Sequence, residues 1–151
     1  MAEHSTLTGA ELHEPKGADS ANAGEVYVSD GAGSGDWFPR EDIYYGVIED
    51  VSTAETVYIP VANAGTVAKV TTVLEGAIGT ADSTITVKNA AGSSMGTLTI
   101  AYTSSAAGDV DTLAPASNNT VSGNDAITIE TDGASTTAQK LWFTIVVQRS
   151  S

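Results

Sequence analysis

The stretch ITVKNAAGSSMGTLTI, residues 85–100, decides the fold class of this chain. Apolar and polar residues alternate on both sides of a turn, with Ile85 and Val87 before it and Leu98 after it. Alternation with a period of two places successive side chains on opposite faces of a strand. The turn itself, NAAG at 89–92, offers an Asx turn and a glycine. The stretch therefore predicts a β-hairpin.

Similar strand signals continue in both directions from this hairpin. The runs are rich in β-branched residues and are separated by Gly, Asn, Asp, Ser and Pro. No segment combines an apolar period of 3.6 residues with a helix cap. The predicted strands of the main domain are 43–51, 55–62, 65–78, 83–89, 96–104, 125–132 and 139–149.

Alternation and hydrophobicity also predict which side chains are buried. In KLWFTIVV (140–147) the apolar run predicts that Trp142 and Phe143 both pack in the core. Within 65–78, strict alternation places Val67, Lys69 and Thr71 on one face and Ala68, Val70 and Thr72 on the other.

About seven or eight short antiparallel strands predict an all-β protein, an antiparallel two-sheet sandwich with a jelly-roll or related Greek-key topology. We assign this domain to residues 43–151 and keep a closed barrel as the alternative. The longest stretch without a strand pattern, 104–124, is expected to be an end loop or a crossover between the sheets.

Residues 1–42 differ from the rest, because they are polar and Gly-rich and contain one short strand signal, EVYVSD at 25–30. Such a segment buries little apolar surface alone, so we expect an extended N-terminal arm that is ordered by a partner or by the main domain. Leu12, Tyr27, Trp37 and Phe38 would serve as its apolar anchors.

The composition excludes several classes of function. The chain has 6 Lys and Arg against 19 Asp and Glu, a net charge of −13, so it lacks the basic patch that nucleic acids require. It has no cysteine, which excludes disulfides, thiolate metal sites and cysteine nucleophiles. No secretory signal and no apolar run of membrane-spanning length is visible, so synthesis in a cytosol is expected.

Rare residue types gather in the N-terminal segment, but none forms a chemical motif. The G-x-G-x-G run at 31–35 is followed by Asp36 and Trp37 rather than by the helix that a dinucleotide fingerprint needs. The two histidines, His4 and His13, lie where no scaffold would hold a nucleophile beside them. We therefore predict no catalytic residues, no cofactor and no enzymatic activity.

Carboxylates are the remaining candidates for a site. Asp30 and Asp36 do not follow the spacing of an EF-hand loop. A glycosidase pair is also disfavoured, since Glu49 and Asp50 are adjacent and would face opposite sides of a strand. A loop ion site and a lectin-like carbohydrate site stay open as alternatives, and we predict no metal. The loop carboxylates considered for an ion are Asp109, Asp111, Asp125 and Asp132.

Two parts of the chain carry a resemblance to a known group. The pattern LTGAELHEPKG…ANAGEVYVSDGAGSGDW resembles a segment near the N-termini of head-decoration and head-fibre-type proteins of tailed bacteriophages. The segments TVYIPVANAGTVAKVTTVLEGAIGTADSTITVKN and GDVDTLAPASNNTVSGNDAITIETDGAST resemble the β-domain of the same group. Together they cover most of the chain.

The resemblance implies a structural protein on the outer surface of a virion, commonly a homotrimer, with an N-terminal part that grips the capsid and a β-domain that faces solvent. Its partners would be the major capsid protein and further copies of itself, with no nucleic acid and no membrane. A fibre domain that adheres to host glycans is the alternative. The positions carried over to capsid binding are Leu12, His13, Pro15, Lys16, Gly17, Tyr27, Gly31, Gly33 and Trp37, to which the apolar pattern adds Phe38.

Overall fold

The computed structural model describes residues 21–22, 24–32 and 35–150. All regular structure in these residues is β-strand, arranged in antiparallel sheets, which confirms the all-β prediction. The described residues divide into two compact units between Arg40 and Glu41. The strands are β1 (Val26–Ser29), β2 (Gly35–Phe38), β3 (Glu41–Ile48), β4 (Glu55–Pro60), β5 (Gly65–Leu74), β6 (Ser83–Lys88), β7 (Ser94–Ile100), β8 (Val110–Leu113), β9 (Thr120–Val121), β10 (Ala126–Thr131) and β11 (Leu141–Arg149).

The described part of the N-terminal unit is a two-stranded hairpin. Strands β1 and β2 are antiparallel, with Tyr27 opposite Trp37 and Ser29 opposite Gly35. The sequence predicted β1 but not β2, because Gly, Asp and Trp at 35–37 show no strand alternation. The segment predicted as an extended arm therefore includes a paired element.

The second unit, here called the body, contains two sheets. One has four strands in the order β4-β10-β6-β7, and the other has β3-β11-β5-β8 with the short β9 also paired to β5. The predicted hairpin around residues 89–93 is confirmed, because β6 and β7 pair from Ser83 opposite Ile100 onward.

One hydrophobic core lies between the two sheets of the body, and a β-sandwich-like arrangement results. Both sheets contribute side chains to the same cluster, which is how two sheets each bury one apolar face. The five-stranded sheet supplies Ile48, Val67, Val70, Leu74, Val121, Leu141, Phe143, Ile145 and Val147, and the four-stranded sheet supplies Ile59, Ile85, Val87, Met95, Leu98, Ile100, Ile127 and Ile129.

A β-bulge in β5 corrects the predicted faces of this strand. Val146 of β11 is opposite Lys69, whereas Val147 is opposite Val67, so Ala68 is an extra residue. The extra residue lets both Val67 and Val70 point into the core, although strict alternation placed them on opposite faces.

One further prediction about the body is wrong, and another, the crossover between the sheets at 104–124, is incomplete. Trp142 does not pack in the core: it is 52% exposed, while Phe143 next to it is 2% exposed, as alternation within β11 requires. The stretch 104–124 is also not a plain loop, since it contains β8 and β9, which both pair with β5. These strands are too short for a periodic pattern to appear in the sequence.

A charged clamp joins the first and last strands of the body. The Arg149 guanidinium donates through Nε to Asp42 Oδ2 at 2.9 Å and through a second nitrogen to the same carboxylate. Asp42 also accepts a hydrogen bond from Asn63 Nδ2 at 2.9 Å. This pairing raises the pKa of Arg149, first through the hydrogen bonds to Asp42. The two-pronged geometry fixes β3 against the end of β11.

Candidate interaction surfaces

The N-terminal hairpin has two different faces. On one face the rings of Tyr27 and Trp37 lie 5.4 Å apart at an interplanar angle of 59°, an arrangement favoured for aromatic pairs. On the other face Val26, Val28 and Phe38 are 47%, 51% and 50% exposed. Val26 lies opposite Phe38 and Val28 lies opposite Asp36, so the three apolar side chains form a strip beside the Asp36 carboxylate, called here the hairpin strip.

The predicted capsid-binding positions fall partly within the described residues. Tyr27, Trp37 and Phe38 belong to the hairpin, and Gly31 lies in the turn between its strands. Gly31 has φ +76°, a left-handed conformation that favours glycine, and an added Cβ would meet no neighbouring atom. The other predicted positions lie outside the described residues: Leu12, His13, Pro15, Lys16, Gly17 and Gly33.

A second apolar surface lies on the outer face of the five-stranded sheet, the face turned away from the core. The strand register aligns Val47, Trp142, Val73 and Val110 in one row and places Tyr45 beside Thr144 in the next. Four of the six exposed large hydrophobic residues of the body belong to this face. Those four are Ile43, Tyr45, Val110 and Trp142, and the other two are Tyr58 and Tyr102. The outer face consists of Glu41, Ile43, Tyr45, Val47, Thr66, Lys69, Thr71, Val73, Val110, Thr112, Trp142, Thr144, Val146 and Gln148.

A hollow of about 220 Å³ lies in this outer face. Tyr45 and Trp142 line it together with Thr71, Val73 and Thr144. Gly46 and Phe143 complete the lining. Gly46 is opposite Phe143 in the neighbouring strand, and a Cβ there would lie 2.5 Å from the Phe143 ring. Glycine at position 46 therefore allows the buried ring to sit close beneath the sheet.

The two outer faces of the sandwich differ in chemistry. The outer face of the four-stranded sheet has an ion pair, Lys88 Nζ to Glu130 Oε2 at 2.6 Å, and one strongly exposed aromatic, Tyr58. Its other outward positions are mostly threonine, namely Thr56, Thr84, Thr86, Thr97, Thr99 and Thr128. This surface is an ordinary solvated one, whereas the outer face of the five-stranded sheet is apolar.

Charged residues lie at the two ends of the outer face rather than within it. Glu41 precedes Ile43 at one end. At the other end Lys140 contacts Glu49 at 2.9 Å, and the pKa of Lys140 is raised by its hydrogen bond to Glu49 and by the charges of Glu49 and Glu75. Between these two ends, Lys69 is the one charged side chain of the outer face.

Three of the carboxylates considered for an ion cap their own turns. Asp30 accepts from the Ala32 amide at 2.8 Å, Asp109 from the Ala106 amide at 2.7 Å, and Asp125 from the Ser122 amide at 2.8 Å. These are short-range Asx-type contacts. Within residues 21–22, 24–32 and 35–150, no three His, Cys, Asp or Glu side chains are grouped as a metal site would require.

Asp132 joins two strands rather than one turn. It accepts from the Thr84 amide at 3.0 Å and from the Ala134 amide at 3.1 Å, with the Ser83 hydroxyl at 3.4 Å. Burial raises the pKa of Asp132, but these hydrogen bonds outweigh it, so that the pKa is lowered overall. The start of β6 is thereby tied to the end of β10.

Asp111 is the carboxylate whose environment opposes its charge. Burial raises its pKa, and the nearby charge of Asp109 raises it further. Both acids line a small cleft beside β8 together with Leu74 and Thr103. Two carboxylates alone do not make a binding site, and the cleft has no third acid among the described residues.

The sequence missed the outer face as a candidate surface. Its residues come from four strands that are distant in the chain, and the row that contains Trp142 and Val110 exists only once the register is known. The available signal was alternation in β11, which places Trp142 and Phe143 on opposite sides.

The described residues form no helix that is long and apolar enough to cross a membrane. The search against family models found no match, and the search of curated proteins found none either. Among solved structures, one chain from work described as "Bacillus endospore appendages form a novel family of disulfide-linked pili" is similar. It is 20% identical, with a TM-score of 0.35, and the match covers 74% of this chain and 88% of that one. A likeness this weak carries no argument about fold or function.

Proposed function

We propose that this protein is a non-enzymatic virion structural protein that decorates and stabilises the capsid of a tailed bacteriophage. In this proposal the protein is a homotrimer on the outer surface of the capsid, made in the host cytoplasm and anchored through its N-terminal 42 residues to the major capsid protein. The resemblance of the N-terminal pattern and of the β-domain supports the proposal.

The observation that carries the proposal is the hairpin strip. A two-stranded hairpin is at best marginally stable alone, and this one displays Val26, Val28 and Phe38 to solvent. An element with an exposed apolar face gains stability when that face is covered, so it suits a segment that docks on a partner. The predicted anchors Tyr27 and Trp37 would then stabilise the hairpin from its other face.

We further propose that the body is a jelly roll. The two sheet orders, β3-β11-β5-β8 and β4-β10-β6-β7, place consecutive strands at equal positions in the two sheets. Strand β3 lies near β4 and β7 near β8, so the chain passes between the sheets at both edges. This order supports a double Greek key in which hairpins are rolled around one core.

The net charge of −13 fits a solvent-facing protein of high copy number. Like charges on neighbouring copies discourage adhesion between exposed surfaces and keep particles apart. The same charge opposes contact with packaged nucleic acid, which is consistent with an outer rather than an inner position on a capsid.

The test is co-sedimentation of the full chain with capsids of the phage whose genome carries it, prepared without this protein. We expect stoichiometric binding that is lost when residues 1–40 are removed, because the proposed anchor is removed with them. This cut leaves Asp42 and the rest of β3 with the body. Phe38→Ser should weaken binding strongly, while Tyr58→Ser, a change of another exposed aromatic on the body, should not. Full binding by the truncated chain would refute the assignment of the anchor.

The alternative function, a fibre domain that adheres to host glycans, is favoured by the exposed rings of Tyr45 and Trp142, on which a sugar could stack. A sugar site also needs convergent polar groups, and the hollow between these rings offers mainly carbon atoms and the Thr71 and Thr144 hydroxyls. Binding of the full chain to a glycan array, lost in Trp142→Ala, would support this alternative over the capsid proposal.

A further inference from the structure

We propose that the outer face of the five-stranded sheet is the surface through which copies of this chain associate with one another. The occupant of this face is a second copy of the same body. The proposal does not depend on capsid binding, because it concerns the free protein in solution, and the number of copies is read from the experiment.

The exposed apolar area of the face is large enough to matter. Ile43, Tyr45, Val110 and Trp142 are exposed by 64%, 80%, 58% and 52%. Since large apolar side chains present about 150–250 Å² each, these four expose roughly 500 Å². A stable interface buries about 800 Å² on each partner, so four residues supply more than half of that area. The valines and threonines of the same rows supply further area.

The distribution of charge favours a second copy over another partner. The chain has 19 acidic residues, yet the outer face has none between Glu41 at one end and the Glu49–Lys140–Glu75 group at the other. A basic partner would be attracted to carboxylates, and the part of this face between its two ends lacks them. Two copies that meet here avoid the repulsion that their net charge of −13 produces on other surfaces.

The shape of the face is suited to itself. The Tyr45 and Trp142 rings stand beside a hollow of about 220 Å³ that the same two rings line. One surface thus offers both a projecting ring and a recess for a bulky side chain. An isologous contact, in which the same patch of two copies meets, requires such complementarity within one patch. The outer face of the other sheet also has an exposed ring, Tyr58, beside a hollow of about 290 Å³, but the charged Lys88 and Glu130 line that hollow and would have to be desolvated in a contact.

The experiment is sedimentation velocity of the full chain over a concentration series up to about 100 µM, a range in which interfaces of this size associate. We expect a mass that is a multiple of 15.3 kDa. Thr144→Glu places a carboxylate beside the hollow, and Tyr45→Ser removes a ring. Each should weaken association at least about tenfold, as loss of an aromatic anchor does. Tyr58→Ser is the matched control, because Tyr58 is a similarly exposed tyrosine on the other sheet, and it should leave the mass unchanged.

Far-UV circular dichroism and thermal melting of each variant check that the fold is retained. Tyr45 is 80% exposed, so Tyr45→Ser keeps the test valid even if Thr144→Glu does not fold. A wild-type protein that stays monomeric over the whole series would overturn the proposal. An oligomer that Tyr45→Ser leaves intact while Tyr58→Ser dissociates it would also overturn the proposal, and would move the interface to the other sheet.

Discussion

Replacing Phe143 by alanine should destabilise the body several times more than replacing Tyr45, although both are aromatic residues of the same sheet. Phe143 is 2% exposed in β11, the strand between β3 and β5. Its ring lies over Gly46, where an added Cβ would be 2.5 Å from the ring and 3.2 Å from Ile59. Strands on both sides surround this ring, so the structure cannot easily collapse into the space that its removal leaves.

The expected cost of Phe143→Ala is about 3–5 kcal/mol, the range found when a buried phenylalanine is removed from a packed core. Tyr45 is 80% exposed. With about 25 cal/mol per Å² for the small area that it buries, Tyr45→Ala should cost about 1 kcal/mol. A body of about 110 residues is stable by roughly 5–16 kcal/mol, so both variants should still fold at 25 °C.

The assay is equilibrium unfolding in urea, followed by far-UV circular dichroism at low protein concentration so that association does not add to stability. With a slope of about 1–2 kcal/mol per M, Phe143→Ala should lower the midpoint by roughly 2 M or more and Tyr45→Ala by less than about 1 M. Equal midpoints for the two variants would contradict the finding that Phe143 of β11 points into the core while Tyr45 of β3 points to solvent.

Three further predictions concern single positions. Gly133 has φ +69°, and a Cβ there would lie 2.3 Å from the Ala54 amide nitrogen, so Gly133→Ala should lower the free energy of unfolding by more than about 2 kcal/mol. Gly92→Ala is the control, because Gly92 has φ +77° and open space around the added Cβ, and it should cost only about 1 kcal/mol. Similar urea midpoints for Gly133→Ala and Gly92→Ala would show that the clash at residue 133 is absent. Because burial raises the pKa of Asp111, its ionised form costs stability above that pKa, so Asp111→Asn should raise the free energy of unfolding at pH 7, by no more than about 0.5 kcal/mol since solvent screens this partly exposed carboxylate. That gain should vanish below pH 3.8, the ordinary pKa of an aspartate. A gain of equal size at pH 7 and below pH 3.8, measured by urea unfolding, would contradict burial as its cause. Arg149→Lys replaces a two-pronged contact with Asp42 by a point charge and should lower the urea midpoint in the same assay, whereas an unchanged midpoint would mean that the clamp does not stabilise the body.

The sequence predicted the elements of the body well where local pattern and final environment agree. The run at 83–89 alternates strictly, and β6 buries Ile85 and Val87 as the pattern requires. The turn at 89–92 also forms as predicted, with Asn89 Oδ1 accepting from the Ala91 amide at 3.1 Å. Here each residue is specified by its neighbours in the chain, so a local pattern is sufficient.

The errors arose where a partner strand decides the outcome. The bulge at Ala68 becomes visible only when β5 is aligned with β11, and β8 exists because β5 offers it an edge to pair with. Trp142 was assigned to the core because hydrophobicity was given more weight than alternation. The hairpin strip needed the pairing of Val26 with Phe38, which no periodicity within residues 25–30 could reveal.

The acidic composition acquires a structural reason once the positions of the carboxylates are known. Asp30, Asp50, Asp109 and Asp125 each accept a hydrogen bond from an amide two or three residues away, so they fix turns. For Asp50 this contact has a measurable consequence, because the Ser52 hydroxyl and amide lower its pKa. Such acids must lie at loops, and loops occupy the ends of a sandwich. These turns place much of the charge at the ends of the body, and between Glu41 and the Glu49–Lys140–Glu75 group the outer face that contains Tyr45 and Trp142 has no carboxylate. The carboxylates that fix the turns thus place electrostatic repulsion between copies at the ends of the body. The apolar sheet face between those ends remains open for contact with a second copy.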